Sequence, residues 1–236
     1  MNGIFVTGTG TEVGKTVVAA VIARTLAAEN QQVAVFKPAV TGLDPEQPAD
    51  GTKSAVYPGI SSRRPMVSPD HELLRLAAGS RQSNDGIAPN RYGPAASPHL
   101  AAALAGEEIH PERLRMAARA AATNADVLVC EGVGGLLVPL RGDYLVRDFA
   151  VDLGLPLVIA ASPGLGTINH TLLTIEAARS TDLAVVSVVL TPWSSEPSPI
   201  EQSNRETIEA LGGVRVQTLP QIDLDDPPNW PRLTIS

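Results

Sequence analysis

The strongest structural signal in this chain is a glycine-rich turn close to its first residue. An apolar segment at Ile4–Val6 precedes the turn, and a stretch with helical character begins at Lys15. Glycine lets the backbone fold tightly, so that successive N–H groups converge on phosphate oxygens, and the N-terminus of the following helix adds positive potential. A strand, a turn of this kind and a helix together predict a nucleoside triphosphate site.

Within the turn, the residue types predict a division of roles. Lys15 is expected to reach the β- and γ-phosphates, and the hydroxyl of Thr16 is expected to bind Mg²⁺. Five residues separate Gly8 from Gly14, whereas the usual pattern has four, so this is a variant of the motif. The predicted nucleotide-binding residues of this loop are Gly8, Thr9, Gly10, Thr11, Glu12, Val13, Gly14, Lys15 and Thr16.

Short apolar segments alternate with longer helical ones along the chain. The predicted strands are Ile4–Val6, Val33–Phe36, Val127–Cys130, Leu157–Ala161, Ala184–Leu190 and Val214–Leu219. The predicted helices are Lys15–Glu29, Pro69–Ala78, Pro98–Ala105, Pro111–Thr123, Val146–Leu153, Thr167–Arg179 and Pro199–Leu211. Strands that are apolar throughout are typical of parallel sheets buried on both faces. The pattern predicts an α/β fold of the P-loop NTPase type, with a mostly parallel sheet and helices on both faces.

The domain organisation follows from length and local composition. The 236 residues contain no internal repeat and no clear linker, so one domain over residues 1–236 is predicted. Residues 44–68 are rich in Pro, Gly and Ser and lack periodicity, and we expect a mobile surface insertion there.

Composition and charge disfavour several classes of function. The net charge is −7 and aromatic residues make up 3% of the chain, which argues against nucleic-acid binding. No run approaches the roughly 20 apolar residues of a membrane span, and no secretory signal is visible. Cys130 is the sole cysteine, as expected in a reducing compartment. These features predict a cytoplasmic protein.

Three ionisable residues outside the loop are candidates for its chemistry. Lys37, one of only three lysines, closes a strand that we expect to lie beside the first strand, which would place its ammonium over the phosphates. Glu131 follows the apolar run at 127–130, at a position suited to a Mg²⁺ ligand. Asp70 is the first acidic residue of a predicted helix. Two roles remain open for it, that of a second Mg²⁺ ligand and that of an ordinary N-cap.

Several segments together resemble the dethiobiotin synthetase family over most of residues 1–180. They are the loop at 6–16, Lys37-Pro38 with Thr41-Gly42, Ser97-Pro98-His99, the segment Glu131–Leu140 and the segment Leu165–Thr171. The resemblance implies ATP-dependent formation of dethiobiotin from 7,8-diaminopelargonate and CO₂, in biotin biosynthesis. A carbamate of one amine would attack the γ-phosphate to give a carbamic–phosphoric anhydride, and the second amine would close the ring.

The resemblance also implies roles for individual residues. Lys37 would hold the carbamate, with Lys15, Thr11, Glu12 and Thr41 nearby. The implied Mg²⁺ ligands are Thr16, Asp70 and Glu131. The turn formed by Gly166, Thr167, Ile168 and Asn169 would bind the substrate carboxylate across a homodimer interface.

Two departures from the family pattern leave alternatives open. Thr191 stands where many members carry an asparagine that recognises adenine, and a hydroxyl lacks the paired donor and acceptor of an amide. Thr191 is therefore the predicted base-contacting residue, with ATP, CTP and GTP all open as the preferred nucleotide. The insertion leaves the second Mg²⁺ carboxylate open between Asp70, Asp50 and Glu72.

Two rival classes share this type of loop. Synthetases of the cobyrinic acid diamide group carry a glutaminase domain with a nucleophilic cysteine, whereas Cys130 lies in an apolar segment. Partitioning ATPases carry an extra lysine early in the loop, where this chain has Thr9-Gly10-Thr11. Both differences favour the dethiobiotin synthetase family over these two rival classes.

Overall fold

The fold was analysed in a computed structural model that describes residues 1–43 and 70–235. The predicted insertion at 44–68 and the alternative metal ligand Asp50 lie outside the described residues.

Strands and helices alternate through most of the chain. The strands are β1 (Gly3–Gly8), β2 (Val33–Phe36), β3 (Val127–Glu131), β4 (Pro139–Arg141), β5 (Tyr144–Leu145), β6 (Leu157–Ala161), β7 (Val185–Trp193) and β8 (Arg215–Pro220). The helices are α1 (Lys15–Ala28), α2 (Asp70–Ala78), α3 (Asn84–Ile87), α4 (Pro98–Leu104), α5 (Pro111–Ala122), α6 (Val146–Leu153), α7 (Thr167–Arg179) and α8 (Pro199–Gly212).

Six strands form one parallel sheet in the order β2-β3-β1-β6-β7-β8. The strands β3 and β6 are buried at every residue, which explains why they are apolar except for Glu131 at the end of β3. Helices α1 and α2 pack on one face of the sheet, while α5 and α6 cover the other. This architecture confirms the predicted α/β fold class.

The expected pairing of β2 with β1 is wrong. The strand β3 lies between them and pairs in parallel with both, so β2 lies at the edge of the sheet formed by residues 1–43 and 70–235. Two features account for this order. Apart from Glu131 at its end, β3 is apolar and gains most from a central position, and the outer edge of β2 is closed by the Gln82 amide, which bonds both the N–H and the C=O of Val35.

Three short elements were not predicted from the sequence. They are the one-turn helix α3, the antiparallel pair β4–β5 and a 3₁₀ turn at Pro227–Asn229. All of them are too short to show a hydrophobic period.

Residues beyond β8 pack back onto the core. Trp230 and Leu233 are buried in the same apolar cluster as α1, and Leu233 N–H lies 3.4 Å from the Thr25 hydroxyl oxygen. Among residues 1–43 and 70–235, no helix is long and apolar enough to cross a membrane.

Candidate functional site

The loop between β1 and α1 depends on two glycines for its shape. At Gly8 a Cβ would lie 2.7 Å from Val13 Cγ2 and 2.8 Å from Lys15 Cγ, so only glycine leaves room for the returning loop. Gly14 has a φ of 86° and caps α1, and a Cβ there would lie 2.5 Å from Thr191 Cγ2. The first turn of α1 therefore presents its N–H groups towards the loop.

The side chain of Lys15 folds back over this loop. Its ammonium donates a hydrogen bond to Gly10 C=O at 2.6 Å, and the residue is buried. Burial lowers the pKa of Lys15 to about 8, with a smaller opposing effect of the Glu131 carboxylate. A phosphate group in the loop would supply the counter-charge that this ammonium needs.

A second cluster lies where β3 and β2 end. The Lys37 ammonium lies 2.6 Å from Glu131 Oε1 and 2.8 Å from Asp70 Oδ2. The Thr16 hydroxyl donates to the same Glu131 oxygen at 2.8 Å. Because β3 lies between β1 and β2, Glu131 contacts both the phosphate loop and Lys37. Four predicted site residues, distant in the chain, are thus brought into one place.

Burial and neighbouring charges shift the pKa values of Lys37 and Glu131 in this cluster. Lys37 is 3% exposed, and burial alone would lower its pKa, but Glu131 and Asp70 outweigh that effect and raise the pKa above its ordinary value. Burial raises the pKa of the fully buried Glu131, while Lys37 opposes the rise. Lys37 is therefore a charged ammonium held at the carboxyl ends of the strands, where an anion bound beside the phosphates could meet it.

The oxygen atoms around Glu131 suit a hard divalent cation. Glu131 Oε2 is buried and has no hydrogen-bond partner within the described parts of the chain. Together with the Thr16 hydroxyl and the Asp70 carboxylate, it provides the oxygen donors that Mg²⁺ prefers. Glu72, the described alternative to Asp70, is partly buried two residues further along α2.

Other predicted nucleotide and substrate residues differ in their exposure. Thr11 and Glu12 are exposed residues of the phosphate loop, and Glu12 has a φ of 63°. Thr41 is partly exposed and directly follows Val40, which bridges to Arg91. Thr191 is buried, and its methyl group faces Gly14.

The predicted carboxylate-binding turn follows β6, the other neighbour of β1 in the sheet. Gly166 has a φ of 91° and begins α7, and the Thr167 N–H bonds to Gly164 C=O at 3.3 Å. Gly166 and Asn169 are exposed, Ile168 is half-buried and Thr167 is buried. The turn therefore lies at the same edge of the sheet as the phosphate loop.

One residue that contacts the backbone just before this turn was missed in the sequence. Asn204 on α8 is 6% exposed, and its amide donates to Pro163 C=O at 2.8 Å and to Gly164 C=O at 3.1 Å. A signal was present, because Asn204, Ile208 and Gly212 follow one another at four-residue spacing and form the buried face of α8. A polar residue on a buried helical face requires hydrogen-bond partners.

The parallel sheet, the glycine loop and the buried lysine define a P-loop nucleotide-binding protein. A family model described as an AAA domain matches residues 2–228. Among solved structures, the cell division ATPase MinD of Pyrococcus furiosus aligns with a TM-score of 0.53 at 17% identity, covering 94% of this chain and 84% of MinD. At that identity the likeness shows the fold alone.

Curated relatives define the family more closely. The ATP-dependent dethiobiotin synthetase BioD of Anaeromyxobacter dehalogenans is 38% identical over 211 residues, 89% of this chain and 86% of the relative. The synthetases of Bacillus subtilis and Acidiphilium cryptum are each 34% identical, covering 92% and 98% of this chain and 85% and 96% of their own lengths. This chain belongs to the family of ATP-dependent dethiobiotin synthetases.

Proposed function

We propose that this chain is an ATP-dependent dethiobiotin synthetase of biotin biosynthesis. Its substrates are 7,8-diaminopelargonate, CO₂ and a nucleoside triphosphate, and its products are dethiobiotin, the nucleoside diphosphate and phosphate. The observation that carries this proposal is the position of the buried Lys37 ammonium against Glu131, next to the phosphate loop. The family membership selects this reaction among those that such a site could perform.

The reaction begins with two anions that repel each other. One amine of the substrate adds to CO₂ and loses a proton, which gives a carbamate. A carbamate oxygen then attacks the γ-phosphorus, the bond to the β-phosphate oxygen breaks, and a carbamic–phosphoric anhydride forms. Lys15, Lys37 and the loop N–H groups supply the preorganised positive charge that lets carbamate and triphosphate approach.

Ring closure needs proximity more than further chemistry from the protein. The second amine attacks the anhydride carbonyl, phosphate leaves, and loss of a proton completes the five-membered ureido ring. Both amines belong to one molecule, so holding that molecule in place supplies much of the acceleration. We assign Lys37 to the carbamate, with Thr11, Glu12 and Thr41 bordering it, and no covalent intermediate with the protein is required.

We propose that Thr16, Asp70 and Glu131 hold Mg²⁺. When bound, Mg²⁺ would neutralise charge on the triphosphate and polarise its phosphoryl oxygens. The fit rests on three neighbouring side chains that carry oxygen atoms and on Glu131 Oε2, which has no hydrogen-bond partner in the part of the chain that the structure describes. Glu72 is the alternative to Asp70 within the described residues.

The substrate carboxylate is assigned to the turn from Gly166 to Asn169. N–H groups in the first turn of a helix have no partner inside the helix and attract anions. We propose a homodimer in which this turn serves the site of the other subunit. Leu165 is 96% exposed and Leu173 on α7 is 59% exposed. Exposed apolar side chains of this kind are expected where a second subunit packs. We further propose that the protein works in the cytoplasm.

An end-point assay tests this function directly. The protein is incubated with Mg²⁺, bicarbonate and diaminopelargonate, separately with ATP, CTP, GTP and UTP, and dethiobiotin is detected by mass. Product that requires both nucleotide and bicarbonate is the expected result, and the order of the four nucleotides reports on the base contact assigned to Thr191. Nucleotide hydrolysis without dethiobiotin would contradict the proposal.

A further inference from the structure

The segment after β6 is contacted by α8, a helix that carries none of the predicted phosphate-binding residues. The helix α8 begins with a capping box, in which the Ser198 hydroxyl accepts from Glu201 N–H and the Glu201 carboxylate accepts from Ser198 N–H. At its other end, a Cβ at Gly212 would lie 2.9 Å from Ile175 Cδ1 on α7. The capping box therefore fixes where α8 begins, and Gly212 lets the end of α8 approach α7 closely.

From α8, the Asn204 side chain reaches the backbone just before the turn at 166–169. Its amide nitrogen lies 2.8 Å from Pro163 C=O and 3.1 Å from Gly164 C=O. Gly164 C=O also accepts from Thr167 N–H, the first N–H of α7. One carbonyl thus joins Asn204 to the start of the helix whose first turn is assigned to the substrate carboxylate.

The backbone between these contacts is exposed and rich in glycine. Gly164, Leu165 and Gly166 are exposed, and Gly166 adopts a left-handed conformation. Exposed glycines order a loop weakly, because they are permissive in φ and ψ and contribute no side-chain packing. A buried amide that donates twice to such a segment restricts it more than any of its own side chains can.

We propose that Asn204 is a positioning residue for the substrate, which acts by fixing the turn that receives the diaminopelargonate carboxylate. This inference rests on the proposed function for the identity of the ligand. It extends the site to α8, which carries none of the predicted nucleotide-binding residues, and it separates recognition of the amino acid substrate from recognition of the triphosphate.

Two substitutions remove the interaction while keeping the size of the side chain. Asn204→Leu deletes both hydrogen bonds, and Asn204→Asp replaces the donor with an oxygen that faces two carbonyl groups. Ser203→Ala is the surface control on the same helix. Ile208→Val is the packing control, because it removes a buried methylene from the same face of α8 without touching the turn.

Steady-state kinetics separate positioning from general destabilisation. Both Asn204 variants should raise the KM for diaminopelargonate about tenfold, whereas kcat and the KM for the nucleotide should stay within about twofold of wild type. Ile208→Val should lower the melting temperature without this change in KM. An unchanged KM for diaminopelargonate in both Asn204 variants, or a rise that Ile208→Val shares, would overturn the proposal.

A second measurement does not depend on the reaction. Hydrogen exchange of peptides covering residues 162–170 should quicken in Asn204→Leu and stay at the wild-type rate in Ser203→Ala. If the wild-type protein forms no dethiobiotin, the proposed function fails, and the exchange rates still decide whether Asn204 holds the turn. Unchanged exchange in Asn204→Leu would remove the physical basis of the inference.

Discussion

Lys37 Nζ and Glu131 Oε1 lie 2.6 Å apart although the two residues are 94 positions apart in the chain. Each is the side chain at the carboxyl end of a strand, and the two strands are neighbours in the sheet. The pair is buried, so its attraction is weakly screened by solvent. A lysine held in this way keeps its charge and its position before any anion arrives.

Replacing this lysine should separate nucleotide binding from turnover. Lys37→Gln removes the charge assigned to the carbamate but leaves the loop and Lys15 in place. We expect turnover to fall by about 100-fold or more, because one preorganised charge is lost at the reacting centre. The affinity for a non-hydrolysable ATP analogue, measured by calorimetry, should change little. A variant that loses nucleotide affinity and keeps its turnover would show that Lys37 binds phosphate only.

The metal assignment can be tested with a matched pair of carboxamides on α2. Asp70→Asn replaces the carboxylate that contacts Lys37, whereas Glu72→Gln changes its partly buried neighbour. The Mg²⁺ concentration giving half-maximal activity should rise by at least about tenfold in Asp70→Asn and stay near the wild-type value in Glu72→Gln. Direct Mn²⁺ binding should show the same order. The reverse order would assign the second carboxylate to Glu72.

Two glycines of the loop should respond differently to the same added methyl group. Gly14→Ala forces a φ near 86° on alanine and places its Cβ 2.5 Å from the Thr191 methyl, so the nucleotide-free protein should lose about 1–3 kcal/mol of unfolding free energy. At Gly10 a Cβ meets nothing within 4 Å, and Gly10→Ala should be nearly neutral. Urea denaturation compares the two variants. Equal stabilities would contradict the tight packing inferred at Gly14.

Asp152 on α6, which is not among the predicted site residues, should make the stability depend on pH. Asp152 accepts from Tyr144 Oη at 2.6 Å and from Arg115 Nη1 at 2.8 Å. Partial burial raises the pKa of Asp152, but these two donors outweigh it and leave the pKa below its ordinary value. Because the folded-state pKa is depressed, the stabilisation is complete above about pH 4 and is lost as the pH falls through the folded-state value.

Variants at Asp152 and Tyr144 separate the contribution of the Asp152 carboxylate from that of the other carboxylates. The difference in unfolding free energy between wild type and Asp152→Asn should be largest near pH 7 and shrink towards pH 3, and Tyr144→Phe should give an intermediate loss. Urea denaturation at several pH values provides the measurement. A difference that stays constant with pH would mean that the Asp152 charge does not contribute.

The sequence by itself determined the kinds and places of most elements. Strands such as β2 and β6 and helices such as α6 and α7 have the predicted bounds, because short apolar runs and helical periods are local signals. The phosphate loop is equally local, since its glycines, Lys15 and Thr16 are consecutive in the chain. Strand order is not local, and the expected pairing of β2 with β1 was wrong.

Only the tertiary structure decided which side chains meet. Sequence placed Lys37 and Glu131 at strand ends, but their contact depends on β3 lying between β1 and β2. Asn204 was missed because its partners lie about 40 residues away, and only the packing of α8 brings its amide to the turn. Backbone preferences and hydrophobic periods depend on residues that are close in the chain, so the sequence predicts them. A site that combines strand ends with a distant helix forms only when the chain folds around its core.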